Sequence, residues 1–498
     1  MLIRLVQILL FPLVPTLFLF SSPSYGSTAS IQQEYIAVPG LMDLRSTFSD
    51  GSHTIEELVR LARSRGFKVL FINDHDRIAV AYGVLPFRNI FRFKKEFPSI
   101  MTNGPEKFLD EIKRVAEMYP DMVIIPGCET SAYYYWSGSL FNKSLTLHQY
   151  DKKLLIMNLE KPDDYRHIPN LHNSFTFRYT KQLLPHALIY MIPLVIGIYL
   201  FKRKERGRFI GSLFIIVSIL GMMDMNPFRS SLFTPYQGDQ GIQPYHEVIH
   251  YVQDKGGLCF WNYPEQRSGI REAKYSLPGC LPDITFQAHT PPYPQVLHES
   301  KGYTGFSALY GDHITAIDPG REWDQTLNEY CRGERETPPW GISTADFHQD
   351  GRLGLKLGAF ATTFLVKEFS SKQGILEALK QGRFYCSRGD GYIWPELEYF
   401  YITNQAGQKA VMGEHIITTR PPVITFQITY DNKNPKQKHI FLIRAGNLIQ
   451  TYKGEFPLEV KYIDTTVPPG QKTYYRIMDN KENLASNPIF VEYRPDKE

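Results

Sequence analysis

The sequence predicts an α/β protein that is interrupted by an apolar helical hairpin and followed by a small all-β sandwich. Three observations predict it. Short apolar runs alternate with amphipathic helical segments from about residue 35 to residue 390. Two strongly apolar stretches, residues 183–201 and 209–225, break that alternation. From about residue 393 the texture changes to short alternating segments separated by Asn, Gly, Pro and Lys clusters, the pattern of an antiparallel sandwich. The expected division is therefore 1–26 as a leader, 35–182 and 226–390 as two parts of one α/β unit, 183–225 as the hairpin, and 393–498 as the sandwich.

Composition bounds the classes. A chain of 498 residues is too long for one ordinary domain. Apolar content of 43% with 21% charged residues describes a folded protein rather than a disordered one. A net charge of +4 is small for this length, and no basic stripe interleaved with aromatics appears, so nucleic-acid binding is not expected. The five cysteines, Cys128, Cys259, Cys280, Cys331 and Cys386, form no Cys-x-x-Cys pair, which argues against a structural zinc knot. They read as isolated buried or free thiols, with a Cys259–Cys280 disulfide open to an exported chain.

Residues 1–26 place Arg4 before an apolar run and end in a small-residue stretch, the layout of a secretory signal peptide or of a retained N-terminal anchor. Thr54-Ile55-Glu56-Glu57 reads as a capping box, and Ile55, Leu58, Val59 and Ala62 then recur at helical spacing. Gly66 suits the helix end, and residues 67–72 form an apolar run fit for a buried strand. A second helix over 106–119 leads to a strand at 122–126. Residues 133–150 read as a loop, and 154–157 as a strand. The hairpin stretches each reach ~25–29 Å as helices, enough for a bilayer core. The basic connection at 202–208 marks a cytoplasmic loop, so residues 27–182 and 226–498 are expected together on the other side, periplasmic or extracellular. Beyond the hairpin come a helix at 244–254, strands at 258–261, 304–309, 340–344 and 362–366, and helices at 323–331 and 372–381.

The chemistry sits where the strands end. The motifs are Asp43-Leu44-Arg45-Ser46-Thr47-Phe48-Ser49-Asp50-Gly51, Asp74-His75, Gly127-Cys128-Glu129, Asn262-Tyr263-Pro264 and Asp346-Phe347-His348. In this order the chain resembles the PHP (polymerase and histidinol phosphatase) superfamily of metal-dependent phosphoesterases. The family opens with His-x-His before its Ser-Asp-Gly; here those positions are Asp43 and Arg45. The resemblance implies a distorted (β/α)7 barrel with its site at the strand C-termini, and a trinuclear metal cluster. One metal position corresponds to Asp43, Arg45, Glu129 and Asp346. A second corresponds to Glu129, Lys153 or nearby His148, and Tyr263. The third corresponds to Asp50, His75 and His348, and it alone is complete.

Arginine has no lone pair to offer a metal. Arg45 is therefore expected to pair with Glu129 and Asp346, a fixed cation in place of a metal. Catalytic candidates are Asp50, His75 and Arg45; metal candidates are Asp50, His75, His348, Glu129, Asp346 and Asp43. The expected cofactor is a divalent zinc, manganese or iron ion, and the expected substrate a phosphorylated small molecule or a phosphodiester. Two functions follow. One is an exported, membrane-embedded phosphoesterase with a reduced metal site. The other is a non-catalytic binding or sensor protein on a degenerate barrel.

Overall fold

The computed structural model describes residues 34–140, 144–275, 284–351, 355–369, 371–430 and 438–495. The leader over 1–26 and Cys280, with its disulfide, lie outside the described residues. Cys128, Cys259, Cys331 and Cys386 are free thiols.

The protein is a mixed α/β fold around a curled sheet. Its strands are β1 (Ile36–Leu44), β2 (Val69–Ile72), β3 (Val123–Thr130), β4 (Lys153–Met157), β5 (Leu258–Asn262), β6 (Gly305–Leu309), β7 (Trp340–Ser343), β8 (Phe360–Val366) and β9 (Phe384–Arg388). They lie side by side in the order β7-β6-β5-β4-β3-β2-β1-β8-β9. β1, β2 and β3 pair in parallel, as do β5, β6 and β7, while β4 runs antiparallel to both its neighbours. That reversal puts the first residue of β4 at the same end of the sheet as the last residues of β1, β2, β3, β5, β6 and β7. Curling brings the chain after β7 back to the end of β1, where Arg45 N donates to Phe347 O at 2.9 Å and Phe347 N to Asp43 O at 3.1 Å. This is a half-barrel of mixed strand direction, not a regular repeat of parallel units.

Local sequence explains the first unit. The helix Ile55–Ser64 begins with the full Thr54/Glu57 capping box and buries Ile55, Leu58, Val59 and Ala62 against the sheet. β2 is buried at all four positions, which is why it reads as an unbroken apolar run. At Gly127 a side chain would meet Ile156 O at 2.3 Å and Asn73 Nδ2 at 2.4 Å, so only glycine lets β3 approach β4 there.

The aromatic stretch after β3 is not the loop expected. Tyr135–Ser137 and Thr146–His148 are strands, and they join Ile270–Tyr275 and Ile284–His289 in a separate four-stranded sheet. A hairpin of Ile78–Gly83 and Arg92–Phe97 packs beside it.

Two apolar helical stretches, Thr180–Phe201 and Glu205–Met225, are long enough to cross a membrane. Their most apolar windows are only 17% buried, unlike core helices of a soluble protein. Gly197 and Gly211 let them touch closely: a side chain at Gly211 would stand 2.6 Å from Gly197 O.

The C-terminal strands form two facing layers. Glu396–Thr403, Lys409–Val411, Val423–Thr429 and Leu458–Ile463 make one sheet. The other layer continues the curled sheet directly, because β9 pairs with Leu484–Ser486. Tyr35, Leu365 and Tyr385 from the first part share the core between the layers with Phe400, Phe426 and Ile477. Fully buried Arg476 clamps Asp324 bidentately, with both bonds at 2.7 Å, and locks the two regions together.

Candidate metal centre

The strand ends converge on one mouth. The turn after β1 is tight: Gly51 N donates to Ser46 O at 3.0 Å, and a side chain at Gly51 would strike Arg45 O at 2.2 Å. Asp74 braces this turn by accepting from Ser46 N at 2.8 Å, Ser46 Oγ at 2.6 Å and Ser49 Oγ at 2.5 Å. Asp74 is thus a scaffold residue that presents its neighbours. Asp43, Tyr263 and Asp346 hold left-handed backbone, with φ of 65°, 46° and 45°, a strain that clusters at this mouth.

Asp50, His75 and His348 come together. Their donor atoms all lie within 4.8 Å of one another. His348 Nε2 is 3.0 Å from Asp50 Oδ2, and His75 Nε2 is 3.5 Å from Asp50 Oδ1. The other ring nitrogens are committed. His348 Nδ1 donates to Asp346 O at 2.7 Å, and His75 Nδ1 lies 3.1 Å from Glu129 Oε2. Each imidazole therefore sets Nδ1 against an oxygen and Nε2 against the Asp50 carboxylate, where a bound cation would take the place of the Nε2 proton. A cation-binding histidine has this outer arrangement. The residues present fit a divalent ion with an O, N, N donor set and open positions. Burial works against the charge on Asp50, yet hydrogen bonds from His348 and His75 hold its carboxyl well below the usual range. Burial disfavours charge on His348 too, but Asp50 outweighs it and raises the imidazole.

Arg45 occupies the neighbouring position and is fully buried. Its Nη1 lies 2.5 Å from Asp43 Oδ1 and also donates to Asn73 O. Its Nη2 lies 3.0 Å from Glu129 Oε1 and 3.4 Å from Asp346 Oδ1. Against the cost of burial, Asp43 and Glu129 hold the guanidinium far above its ordinary value. Glu129 is likewise fully buried but held well below the carboxylate range by Arg45 and then Lys153. Lys153, first residue of the reversed β4, reaches Glu129 Oε2 at 2.7 Å. His148 does not join them; it bonds Ser137 Oγ at 2.7 Å and stacks on Tyr135. Tyr263 packs edge-on against Tyr310 and lines the mouth.

Sequence reading missed Asn262. Its amide donates to Glu129 Oε1 at 2.7 Å and to Asp43 Oδ2 at 3.2 Å, tying the two buried carboxylates together. Ser307 Oγ in turn donates to Asn262 Oδ1 at 2.6 Å. The signal was its place as the last residue of a fully buried strand, where a polar side chain needs partners. Beside the trio opens a cleft of about 440 Å³, lined by His348, Asp346, Tyr263, Tyr310, Gln266 and Arg388. Arg388 lies over the Phe360 ring and makes no ion pair among the described residues.

No protein-family model matches this chain, and neither does any curated protein. Solved structures do. Structural neighbours include PHP-like metal-dependent phosphoesterases and an amidohydrolase. One is a two-domain protein containing a predicted PHP-like metal-dependent phosphoesterase from Bacteroides vulgatus, 13% identical, covering 89% of this chain and 91% of its own, with a TM-score of 0.35. A candidate metal-dependent phosphoesterase from Bifidobacterium adolescentis is 14% identical over 62% of this chain and 87% of its own, with a TM-score of 0.25. An amidohydrolase from Chromobacterium violaceum, with bound sulfate and no metal, is 12% identical over 63% and 88%, with a TM-score of 0.27.

Proposed function

We propose that this chain is an exported, membrane-anchored phosphoesterase whose metal site is reduced to one cation. The observation that carries this reading is the pair of Nε2 atoms directed at Asp50 with both Nδ1 atoms already set against oxygens. Asp50, His75 and His348 would hold the cation. When bound, such an ion supplies a Lewis acid for a phosphoryl oxygen and acidifies water. The chain's own residues do the rest. Glu129 and the Asp346 carbonyl fix the two imidazoles. Arg45 and Lys153 neutralise the carboxylates behind them. The adjoining cleft offers Arg388 and Gln266 to an anionic substrate, with guanidinium geometry suited to phosphate.

On this reading the curled sheet is a distorted (β/α)7 barrel with the hairpin inserted in it. The hairpin spans a bilayer, with helices of about 33 and 31 Å. Residues 202–208 lie on the cytoplasmic side, and residues 27–182 and 226–498 on the other. Motif residues before and after the hairpin meet at one mouth, which favours an even number of crossings.

A second reading, a non-catalytic binding or sensor protein, is favoured by one observation: Arg45 and Lys153 saturate Glu129, the carboxylate that two metals would share. Hydrolysis of chromogenic phosphomonoesters and phosphodiesters separates the two. Turnover by metal-loaded wild type, lost on chelation and in His348→Ala, is expected. Absence of turnover in metal-loaded wild type would leave the binding protein.

A further inference from the structure

A second cleft, of about 500 Å³, shares no lining residue with the cleft at the metal centre and lies at the end of the helical hairpin. Its walls come from the tip between Ile78–Gly83 and Arg92–Phe97, from Gln182, Leu183 and His186 of the first apolar helix, from the second helix's end at Asp224, and from residues 229–240. The tip is tied to the helix. Asn89 N donates to Asp224 Oδ1 at 2.7 Å, and Asn89 Nδ2 to Asp224 O at 2.9 Å. Whatever level Asp224 occupies, the tip occupies too.

Two arginines line this cleft. Arg88 stacks on Tyr236, 4.4 Å from the ring centroid, and Arg229 donates through Nη2 to Leu232 O at 2.7 Å. Neither makes an ion pair among the described residues. The Asp224 carboxylate also faces the cleft, but it is engaged by Asn89, and the two guanidiniums leave a net positive lining. Next in sequence to its lining residues Pro86 and Arg229 stand Leu85 and Phe228. Leu85 on the tip is 69% exposed and Phe177 is 70% exposed. Phe177 packs with Phe175 and Phe228 in an aromatic cluster at the foot of the hairpin. Exposed Leu and Phe beside unpaired Arg, at the end of an apolar helix, is the composition of a membrane interface.

We infer that this cleft binds the phosphate of an anionic membrane lipid, with Arg88 and Arg229 on the headgroup and the tip and Phe177 in the acyl boundary. The inference rests on the reading of the two apolar helices as membrane spans. It gives the soluble fold a second hold on the bilayer and so sets the orientation of the metal-bearing mouth.

The test uses full-length protein in neutral detergent micelles doped with phosphatidylglycerol, with diacylglycerol of the same chains, or with inorganic phosphate in the buffer. Phosphatidylglycerol is expected to raise the thermal midpoint, and diacylglycerol is not. The half-saturating phosphatidylglycerol fraction should rise at least about tenfold in the Arg88→Gln, Arg229→Gln variant, two charge-assisted contacts being lost. Arg88→Gln alone, on the partly exposed tip, carries the same test if the double variant does not fold. An unchanged response in the variants, or an equal response to diacylglycerol, would overturn the inference. Equal stabilisation by inorganic phosphate would assign the cleft to a soluble anion and overturn the lipid. Alkaline extraction of native membranes tests the anchoring itself. Wild type washed off would overturn the anchoring; wild type retained without a phosphatidylglycerol response would overturn only this inference.

Discussion

Two groups of carboxylates share one mouth and relieve their crowding in different ways. Around Arg45, Asp43 and Glu129 are fully buried, and the compensating cations belong to the chain itself. Around Asp50, the carboxylate is 48% exposed, and its neighbours are two imidazoles whose Nε2 atoms could each serve a cation as ligand. The first arrangement has no vacancy for an exchangeable ion, since guanidinium and ammonium groups fill it and carry no lone pair. The second is open to one. Burial therefore decides which cation each group takes. Carboxylates cut off from water require a permanent partner, while one at the rim can accept a partner that comes and goes.

That contrast can be broken most severely at Arg45. Arg45→Met should cost ~3–5 kcal/mol of unfolding free energy, because it leaves buried carboxylates facing one another with too little compensation. A change below ~1 kcal/mol in denaturant titration would contradict the fixed-cation account. Lys153→Met should cost less, about 1–3 kcal/mol, since Glu129 keeps Arg45 and Asn262.

Acidity sharpens the comparison. Burial pushes the Asp43 carboxyl up to about 6 despite Arg45 beside it, above its unfolded value near 3.8. The folded state then binds more protons than the unfolded one between those values, so this group makes stability fall as pH rises from about 4 to about 6. The slope is at most ~1.4 kcal/mol per pH unit. Asp43→Asn should remove that fall, measured by denaturant midpoints across the range. Asp50 behaves oppositely: its depressed carboxyl contributes stability above its unfolded value that is lost on strong acidification. The smallest effect on folding is expected for His348→Ala. Its Asp50 partner is half exposed, so metal-free stability should change by less than ~1 kcal/mol.

Much of this was legible in the residues. The capping box at Thr54, the buried run of β2, the two apolar helices and most strands of the C-terminal layers follow from local periodicity and turn chemistry. The pairing of Arg45 with carboxylates followed from its place in a motif whose frame is otherwise kept. What local pattern could not give was direction and partnership. β4 reads as an apolar strand like those beside it, so its reversal, and hence the reach of Lys153 to Glu129, depends on tertiary packing. His148 looked near enough to substitute for Lys153, yet its strand belongs to the other sheet and turns its ring to Ser137. The aromatic stretch after β3 masked two short strands because three-residue strands carry almost no period-2 signal. Asn262 escaped because a single amide is meaningful only once the two carboxylates it joins are known to be buried.

The central claim is that one exchangeable cation belongs to Asp50, His75 and His348, while Arg45 stands permanently in place of another. Elemental analysis of the purified full-length protein tests it most directly, comparing wild type with His348→Ala after equal exposure to zinc, manganese and iron. The account predicts one divalent ion per chain in wild type and loss of that ion in a folded His348→Ala protein. Wild type with no ion or with two or more, or a His348→Ala protein that retains its ion, would contradict it.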